Sequence, residues 1–326
     1  PSGTWVDVDG TLAVLPRQQL DHLLVQGAQR VGAQLCTPVR LDGLIEEAGR
    51  VVGARLRTLG PTSPDQGTLQ EVRARWVVLA TGAPVQAMQI AGLNQRRAPS
   101  GVALRGYVRN PQRRAQQLTM DVVWHKALRP GYGWIFPVGD DVYNIGVGAF
   151  HRSHPHGETN NLRQMFEAFT SVYAPAHALM QGGELLGDLK GAPLRCTLDG
   201  AGYSRAGLLA TGEAIGSTYD FTGEGIGKAM ETGLLAAEVL LAGWSGPGDN
   251  EAAMRADYAT RLQRLKPRFD LYAKANRINR HPWLADLVIR RARKSEKLRR
   301  RISGVLNETS NPGHLLTLQG MLRLFT

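Results

Sequence analysis

Apolar residues recur every three to four positions in the first long segment of the chain, residues 18–35. This spacing predicts an amphipathic helix, and Gly32 is the expected helix end. The apolar positions of this segment are Leu20, Leu23, Leu24, Ala28 and Val31.

The next apolar pattern is of the strand type. Residues 35–59 predict two strands around a turn at Glu46–Gly49. A loop rich in Gly, Pro and Ser spans 60–67, and a third strand is expected to end in the segment 76–83, WVVLATGA. The run Trp76–Ala80 is apolar throughout, as expected of a parallel strand that is buried on both faces. Helix and strands together predict part of a nucleotide-binding α/β domain.

Residues 102–150 have a different pattern, in which short β-type runs alternate with turns. We expect an antiparallel sheet here, forming a second domain that is inserted in the first. Residues 160–180 have helical spacing. The four β-type runs read VALRGYV, QLTMDVVW, GYGWIFPV and VYNIGVGAF.

Residues 208–243 predict a return to the first domain, with a buried strand, a Gly-rich connection and a helix. The last ~80 residues have helical patterns. We expect apolar residues on one side of the helix that follows the connection, at Ala229, Leu234, Ala237 and Leu241.

Positive charge is concentrated near the end of the chain. The 326 residues carry a formal net charge of +11, but residues 261–301 alone hold 15 Lys and Arg against 3 Asp and Glu. Within them, the stretch 284–306 combines basic residues with apolar ones at partly helical spacing. It fits a solvated helix that is packed on the body by its apolar stripe, or a helix that contacts an anionic membrane surface. Nucleic acid is not expected as a partner, because stacking aromatic residues and a known binding module are missing.

The cysteine and histidine content argues against a disulfide-stapled secreted domain and against a metal site. Two cysteines are too few for a disulfide-stapled secreted domain or a zinc site. No apolar run approaches the ~20 residues that span a bilayer, and no signal segment opens the chain, so we expect a cytoplasmic location, with membrane association as an option. His151, His154 and His156 are interpreted as a solvated loop rather than a metal site, because no acidic or Cys cluster accompanies them.

The strongest local signal lies between Gly212 and Gly233. A strand ends at Thr211-Gly212, Glu213 follows, and the run 222–226, TGEGI, opens a helix. Glycines let a backbone approach a ligand closely, helix N-terminal amides bind electron-rich groups, and a carboxylate accepts hydrogen bonds from hydroxyls. The alternative is a Gly-rich turn that only joins strand to helix. A P-loop is excluded, because Thr222 stands five residues before Gly227 and Ala229 follows Lys228.

The pattern G-E-A-x-G, T-G-E-G-I and A-M-x-x-G resembles the second flavin-binding motif of the FAD-dependent hydroxylase and reductase superfamily, with Glu213 where that family usually has Asp. Arg17 with Leu20-Asp21 matches its R-x-x-[FL]-D helix start, and residues 80–83 match its A-[TD]-G-A strand end. The resemblance implies that Arg17 and Gly82 lie near the FAD. It also implies a set of residues around the ribityl chain and the flavin ring: Gly212, Glu213, Gly216, Thr222, Gly223, Gly225 and Ile226.

The segment 131–137, GYGWIFP, resembles the Y-x-W-x-F-P substrate-cavity motif of the geranylgeranyl reductases. Alternate residues of a strand point to one face, so Tyr132, Trp134 and Phe136 are expected to line one apolar wall. Three aromatic residues in an ordinary sheet core are the alternative. An isoprenoid offers few polar groups, so its binding depends on burial.

The resemblance implies a reductase that uses FAD to reduce carbon–carbon double bonds of an isoprenoid-like hydrophobic substrate, with NAD(P)H or a redox protein as electron donor. The rivals are a flavin monooxygenase that hydroxylates or epoxidises a hydrophobic substrate, and a non-catalytic lipid- or membrane-associated protein on a degenerate flavoprotein scaffold. The pattern singles out no catalytic side chain, as expected where a cofactor carries the chemistry.

The fold class expected from all of this is α/β. A Rossmann-like FAD-binding domain would occupy 1–100 and 201–245, an antiparallel-sheet substrate domain 101–200, and a helical, basic region 246–326. The family's first flavin motif, G-x-G-x-x-G, does not occur in the sequence. The resemblance places Pro1 about 100 residues into such a protein, so an N-terminal part of the FAD-binding domain is expected to be absent.

Overall fold

The computed structural model describes residues 3–10, 13–60, 67–96, 98–113, 119–150, 161–244 and 250–310. Its strands are β1 (Val39–Glu47), β2 (Arg50–Thr58), β3 (Leu69–Arg73), β4 (Val77–Leu79), β5 (Gly101–Arg109), β6 (Asp121–Val123), β7 (Gly131–Gly139), β8 (Val142–Phe150), β9 (Glu184–Leu185), β10 (Lys190–Leu194), β11 (Ser204–Arg205) and β12 (Leu208–Ala210). Its helices are α1 (Arg17–Arg30), α2 (Gln86–Ile90), α3 (Leu162–Val172), α4 (Ala174–Gln181), α5 (Ile226–Ala242), α6 (Glu251–Ala275), α7 (Arg277–Arg280), α8 (Pro282–Ala292) and α9 (Glu296–Leu306).

The first sheet is an antiparallel β1–β2–β3 meander. The predicted turn between its first two strands is confirmed, because Ala48 and Gly49 take the left-handed backbone conformation between β1 and β2. The single third strand of the prediction is two strands in the structure. β3 pairs with β2, and the chain then leaves this sheet to form β4 elsewhere.

β4 pairs in parallel with β12, with Val77 opposite Leu208. The predicted parallel strand is therefore confirmed, but its burial on both faces is not. Leu79 is buried, whereas Val78 is 42% exposed. β4 lies at one edge of the order β11–β12–β4, and the face that carries Val78 is partly open to solvent.

The predicted antiparallel sheet is confirmed between β4 and β12, in the order β10–β5–β8–β7–β6 with β9 on β5. Helices α3 and α4 cover one of its faces around the buried side chains of Ile135, Val147 and Phe169. A Cβ atom at position 133 would lie 2.5 Å from the Phe169 ring, so Gly133 lets the helix approach the strand. The sheet is inserted between two strands that pair with each other; the exact domain boundaries stay a prediction.

Two of the predicted helices do not bury their apolar side. α1 ends just before Gly32, near its predicted end, yet none of its residues is buried. In α5 the predicted apolar side is not the buried one: Leu234 and Leu241 are 64% and 71% exposed. The helix instead buries Lys228, Thr232, Ala236 and Val239. Small and hydrogen-bonding residues occupy that side, where the Thr232 hydroxyl accepts from the Gly212 amide at 3.1 Å.

The described part of the C-terminal region is helical, as predicted, and helices α6 and α9 join the core of the first domain. The Tyr258 hydroxyl donates to the carbonyl of Ala210 at the end of β12 (2.7 Å), and Tyr272 donates to Val305 of α9 (2.8 Å). The basic stretch 284–306 forms most of α8 and all of α9. Its apolar residues Leu298 and Val305 are buried, which fits a helix packed on the body by its apolar stripe. Within the described ranges, no helix combines the length and the apolar character that a bilayer crossing requires.

Candidate functional site

The loop after β12 needs glycine at Gly216. Residues 212–215 form one turn of 3₁₀-helix, and Gly216 ends it with a φ of +84°. The Gly216 carbonyl accepts from the Leu198 amide at 2.8 Å. A Cβ atom at position 216 would lie 3.1 Å from the carbonyl oxygen of Cys196. The glycine therefore provides both the left-handed backbone and the close approach of the segment 195–198.

Glu213 is half-buried in this turn, and its carboxylate has partners from two directions. It accepts hydrogen bonds from the Arg195 amide (3.1 Å) and from the Thr218 hydroxyl (3.3 Å). Burial raises the pKa of Glu213, while these hydrogen bonds and the charge of Arg17 lower it. The charge of Arg17 in α1 thus acts on Glu213, although the two residues are distant in sequence.

Two further glycines shape the start of α5. A Cβ atom at Gly225 would lie 2.6 Å from the Thr218 hydroxyl, and one at Gly223 would lie 3.0 Å from the Tyr132 hydroxyl. Gly223 also takes a φ of +69°. A side chain at either position would push apart segments that are in contact. Close packing therefore explains why both positions of the T-G-E-G-I pattern hold glycine.

The first turn of α5 differs from the expectation of exposed amides. The carboxylate of Glu224 accepts a hydrogen bond from the Gly227 amide at 3.0 Å, so this amide already has a partner within the chain. Burial and the charge of Glu308 raise the pKa of Glu224. Ile226, at the start of the helix, is exposed.

The end of β4 faces the same loop. Gly82 has a φ of +71°, and the nearest neighbour that a Cβ atom would meet is a Pro84 ring carbon at 3.8 Å, so the space beside it is open. The Nε of Arg195 donates to the Ala83 carbonyl at 2.8 Å. Arg195 therefore connects the strand end at Gly82 to Glu213. Sequence reasoning missed this residue, because a lone arginine carries no motif.

Tyr132, Trp134 and Phe136 lie side by side on one face of β7. Ring centroids are 6.1 Å apart for the first pair and 6.3 Å for the second. The alternate residues Gly133 and Ile135 face α3 and the helix-covered core. The predicted alternation is therefore confirmed. We call this face, together with Phe150, Trp124 and Phe221, the aromatic wall.

Three more aromatic residues extend the aromatic wall towards the Gly-rich loop. Phe150 of β8 lies 5.9 Å from Tyr132, and Trp124 lies 6.1 Å from both Tyr132 and Phe221, stacked on the latter at 13°. Phe221 belongs to the loop before α5. Trp124 and Phe221 were missed from the sequence, because their contact joins segments that are distant along the chain.

The polar atoms of the aromatic wall are bonded within the protein. The Tyr132 hydroxyl donates to the Thr222 carbonyl, the Trp124 indole to Asn279 (2.8 Å), and the Trp134 indole to Asn144 (3.0 Å). Burial raises the pKa of Tyr132, so its phenol stays protonated. The polar edges of these rings are thus satisfied, which is what allows them to be buried at an apolar surface.

The two cysteines lie in different environments. Cys196 is buried beside Tyr132 and Phe150, and burial raises the pKa of its thiol, so it stays protonated and unreactive. Cys36 is exposed. The described residues contain no group of three or more His, Cys, Asp or Glu that could hold a metal; the three histidines at 151, 154 and 156 lie outside the described residues.

No protein-family model matches this chain. It is 28% identical over 256 residues to a digeranylgeranylglycerophospholipid reductase from Methanoculleus marisnigri (73% of this chain, 58% of the relative). It is 29% identical over 245 residues to a menaquinone reductase from Mycolicibacterium smegmatis (72% of this chain, 55% of the relative). The chain thus spans little more than half the length of these curated relatives.

Among solved structures, a geranylgeranyl bacteriochlorophyll reductase-like protein from Thermoplasma acidophilum superposes with a TM-score of 0.63 at 20% identity, covering 97% of this chain and 75% of that protein. The α/β flavoprotein fold predicted from the motifs is confirmed. The resemblance to the geranylgeranyl reductase family of FAD-dependent oxidoreductases is confirmed as well.

Proposed function

We propose that this chain is part of an FAD-dependent oxidoreductase that reduces carbon–carbon double bonds of an isoprenoid-like hydrophobic substrate. The observation that carries the proposal is the hydrogen bond from Tyr132 to Thr222. It joins the aromatic wall to the Gly-rich loop that resembles the flavin motif. A hydrophobic substrate on the wall would therefore lie beside a cofactor in the loop. Relatives that are named as reductases of isoprenoid-bearing lipids and quinones support this substrate class.

The loop residues suit the cofactor that we propose. Glu213 offers a half-buried carboxylate to ribityl hydroxyls, and the open space at Gly82 suits a ligand that approaches the backbone. FAD, once bound and reduced by the electron donor, would supply the hydride for the reduction. The residues that we propose to hold it are Arg17, Gly82, Gly212, Glu213, Gly216, Thr222, Gly223, Gly225 and Ile226.

The aromatic wall would act by burial. The polar atoms of Tyr132 and Trp134 are bonded within the protein, and Phe136 has none. The three rings would therefore exclude water and orient an apolar chain without offering it a charge. Each Å² of apolar surface that leaves water contributes roughly 25 cal/mol. We also propose NAD(P)H or a redox protein as the electron donor that reduces the flavin.

Reoxidation of reduced flavin tests the proposal against its rivals. The purified chain is loaded with FAD, reduced without oxygen, and mixed with a geranylgeranyl lipid or a menaquinone. Reoxidation without oxygen, with a carbon–carbon double bond of the isoprenoid chain becoming saturated, supports the reductase. Reoxidation that requires oxygen, with an oxygenated product, supports the monooxygenase instead. A chain that stays colourless with excess FAD contradicts both.

We propose membrane contact through α8 and α9 as a finer part of this function. Trp5 and Trp283 are 64% and 62% exposed, and Arg293 lies 5.7 Å from the Trp5 ring. Exposed tryptophans beside arginines are typical of the membrane interface. Trp283→Ala should weaken sedimentation with anionic vesicles at low salt, whereas Trp244→Ala, at an exposed indole after α5, serves as control. Equal binding by both variants and the wild type contradicts the contact.

A further inference from the structure

Arg195 occupies an unusual position for a cation. Its side chain is almost completely inside the protein, with 8% of the residue exposed. The Nε is bonded to the Ala83 carbonyl, and the backbone amide to the Glu213 carboxylate. The guanidinium therefore lies between the two segments that we propose to hold FAD.

The buried charge of Arg195 lacks a direct counter-ion. Among the described residues, no carboxylate lies within the 4.0 Å of an ion pair with its guanidinium, and its two Nη groups have no hydrogen-bond partner. Burial lowers the pKa of Arg195, the charge of Arg96 lowers it further, and the charge of Glu213 raises it. Neither Nη atom is among the fully enclosed polar atoms that lack a partner, so both reach solvent and a ligand can approach them.

The geometry of the group suits a phosphate. With Nε bonded to Ala83, the two Nη groups remain as the donors of a planar fork, which matches two phosphate oxygens. The space around the Cβ position of Gly82, the residue before Ala83, is open. Arg17, which acts on Glu213, adds a second positive charge to this cluster.

We propose that Arg195 binds the diphosphate of a dinucleotide through its Nη groups. The inference rests on the proposed function and deepens it, because it assigns an anion site to a chain whose sequence lacks the G-x-G-x-x-G motif. Two dinucleotides share this chemistry: FAD itself, and NAD(P)H as electron donor.

Ligand affinities of matched variants test the proposal. Arg195→Gln removes the charge and the fork, and Arg195→Lys keeps only the charge. Arg113→Gln is the control, since Arg113 also donates to a backbone carbonyl, that of Pro175 in α4. Kd values for FAD, riboflavin, NADPH and inorganic pyrophosphate are measured by fluorescence, and thermal unfolding shows whether each variant folds.

If FAD is the ligand, Arg195→Gln should weaken FAD about 10- to 100-fold, the range of charged hydrogen bonds, and leave riboflavin unchanged. If NADPH is the ligand, its affinity should fall instead. In both cases Arg195→Lys should lie between wild type and Arg195→Gln, and pyrophosphate should compete with the dinucleotide.

The proposal is overturned if a folded Arg195→Gln variant keeps wild-type affinity for both dinucleotides, or if riboflavin binding falls as much as FAD binding. The anion-site proposal and the proposed function can be contradicted independently of each other. A wild-type chain that rejects FAD contradicts the proposed function, while loss of pyrophosphate and NADPH binding in Arg195→Gln would still support the anion site. A wild type that binds none of the phosphate ligands contradicts the anion site directly.

Discussion

The hydroxyl of Tyr132 donates a hydrogen bond to the backbone carbonyl of Thr222. Tyr132 lies in the inserted antiparallel sheet, and Thr222 lies in the loop that opens α5. The side chain of a sheet residue thus bonds the backbone of the loop before α5. A Cβ atom on the next loop residue, Gly223, would lie 3.0 Å from the same hydroxyl.

Tyr132→Phe keeps the ring and removes this bond. The free energy of unfolding should fall by about 1 kcal/mol, and the affinity for FAD should fall with it, because the loop before α5 loses an anchor. Chemical denaturation and flavin titration measure the two effects. Tyr143→Phe is the control: it also loses a bond to a backbone carbonyl, that of Arg113 (3.2 Å), but in the helix-covered core. Equal losses of FAD affinity in both variants would contradict the special role of Tyr132.

Gly216→Ala should destabilise the protein by about 1–2 kcal/mol, the cost of a left-handed conformation for an L-residue. Contact of the new Cβ atom with the Cys196 carbonyl adds to this cost. Gly233→Ala is the matched control, because nothing lies within 4 Å of its Cβ position inside α5, and it should stabilise by about 0.5–1 kcal/mol. Denaturant titration of both variants checks the opposite signs; two changes of the same sign would rule out this account.

Glu224→Gln should change how stability depends on pH. Burial and the charge of Glu308 raise the pKa of Glu224 above the ordinary carboxyl value of 4.5. The folded state therefore holds this proton more tightly than the unfolded state. The resulting stability is present below pH 4.5 and is lost as the pH rises through the raised pKa.

The neutral amide of the Glu224→Gln variant does not undergo this loss and can still accept from the Gly227 amide. Relative to the wild type, the variant should gain stability from pH 4.5 upward and show no gain below that value. Unfolding free energies measured between pH 4 and pH 8 test this, with Glu71→Gln on the exposed strand β3 as control. A difference between Glu224→Gln and wild type that is independent of pH would contradict the assignment.

Lys228→Met should be strongly destabilising. The Lys228 ammonium is nearly buried and bonds Glu231 at 2.8 Å and Glu308 at 2.7 Å. Its loss leaves these carboxylates partly unpaired, at a cost of about 3 kcal/mol. Arg300→Met provides the comparison: Arg300 pairs with Glu296 on the exposed side of α9, where such pairs contribute at most about 1 kcal/mol. Similar losses in the two variants would show that the Lys228 cluster is not buried in solution.

Local patterns in the sequence determined the elements that depend on neighbours along the chain. Alternation of apolar residues predicts β5, β7 and β8, and the same period places Tyr132, Trp134 and Phe136 on one face. The apolar run at Trp76–Ala80 predicts a parallel strand, and the spacing of Gly212, Glu213 and Gly223 predicts the loop. These inferences hold because strand period and turn geometry are set within a few residues.

Tertiary structure decided what these elements pack against. The buried side of α5 follows Thr232 and Ala236 rather than Leu234 and Leu241, because contact with the Gly212 turn favours small and hydrogen-bonding side chains. The predicted third strand divides between two sheets, since β3 and β4 have different partners.

The same holds for the site. Arg195 reaches Ala83, Trp124 stacks on Phe221, and Arg17 acts on Glu213, each pair distant in sequence. Composition, charge and periodicity do not encode such pairs, because contacts between distant segments form only when the whole chain is folded. The sequence by itself therefore determined most of the elements and predicted the class of site, and the tertiary structure decided which side chains meet there.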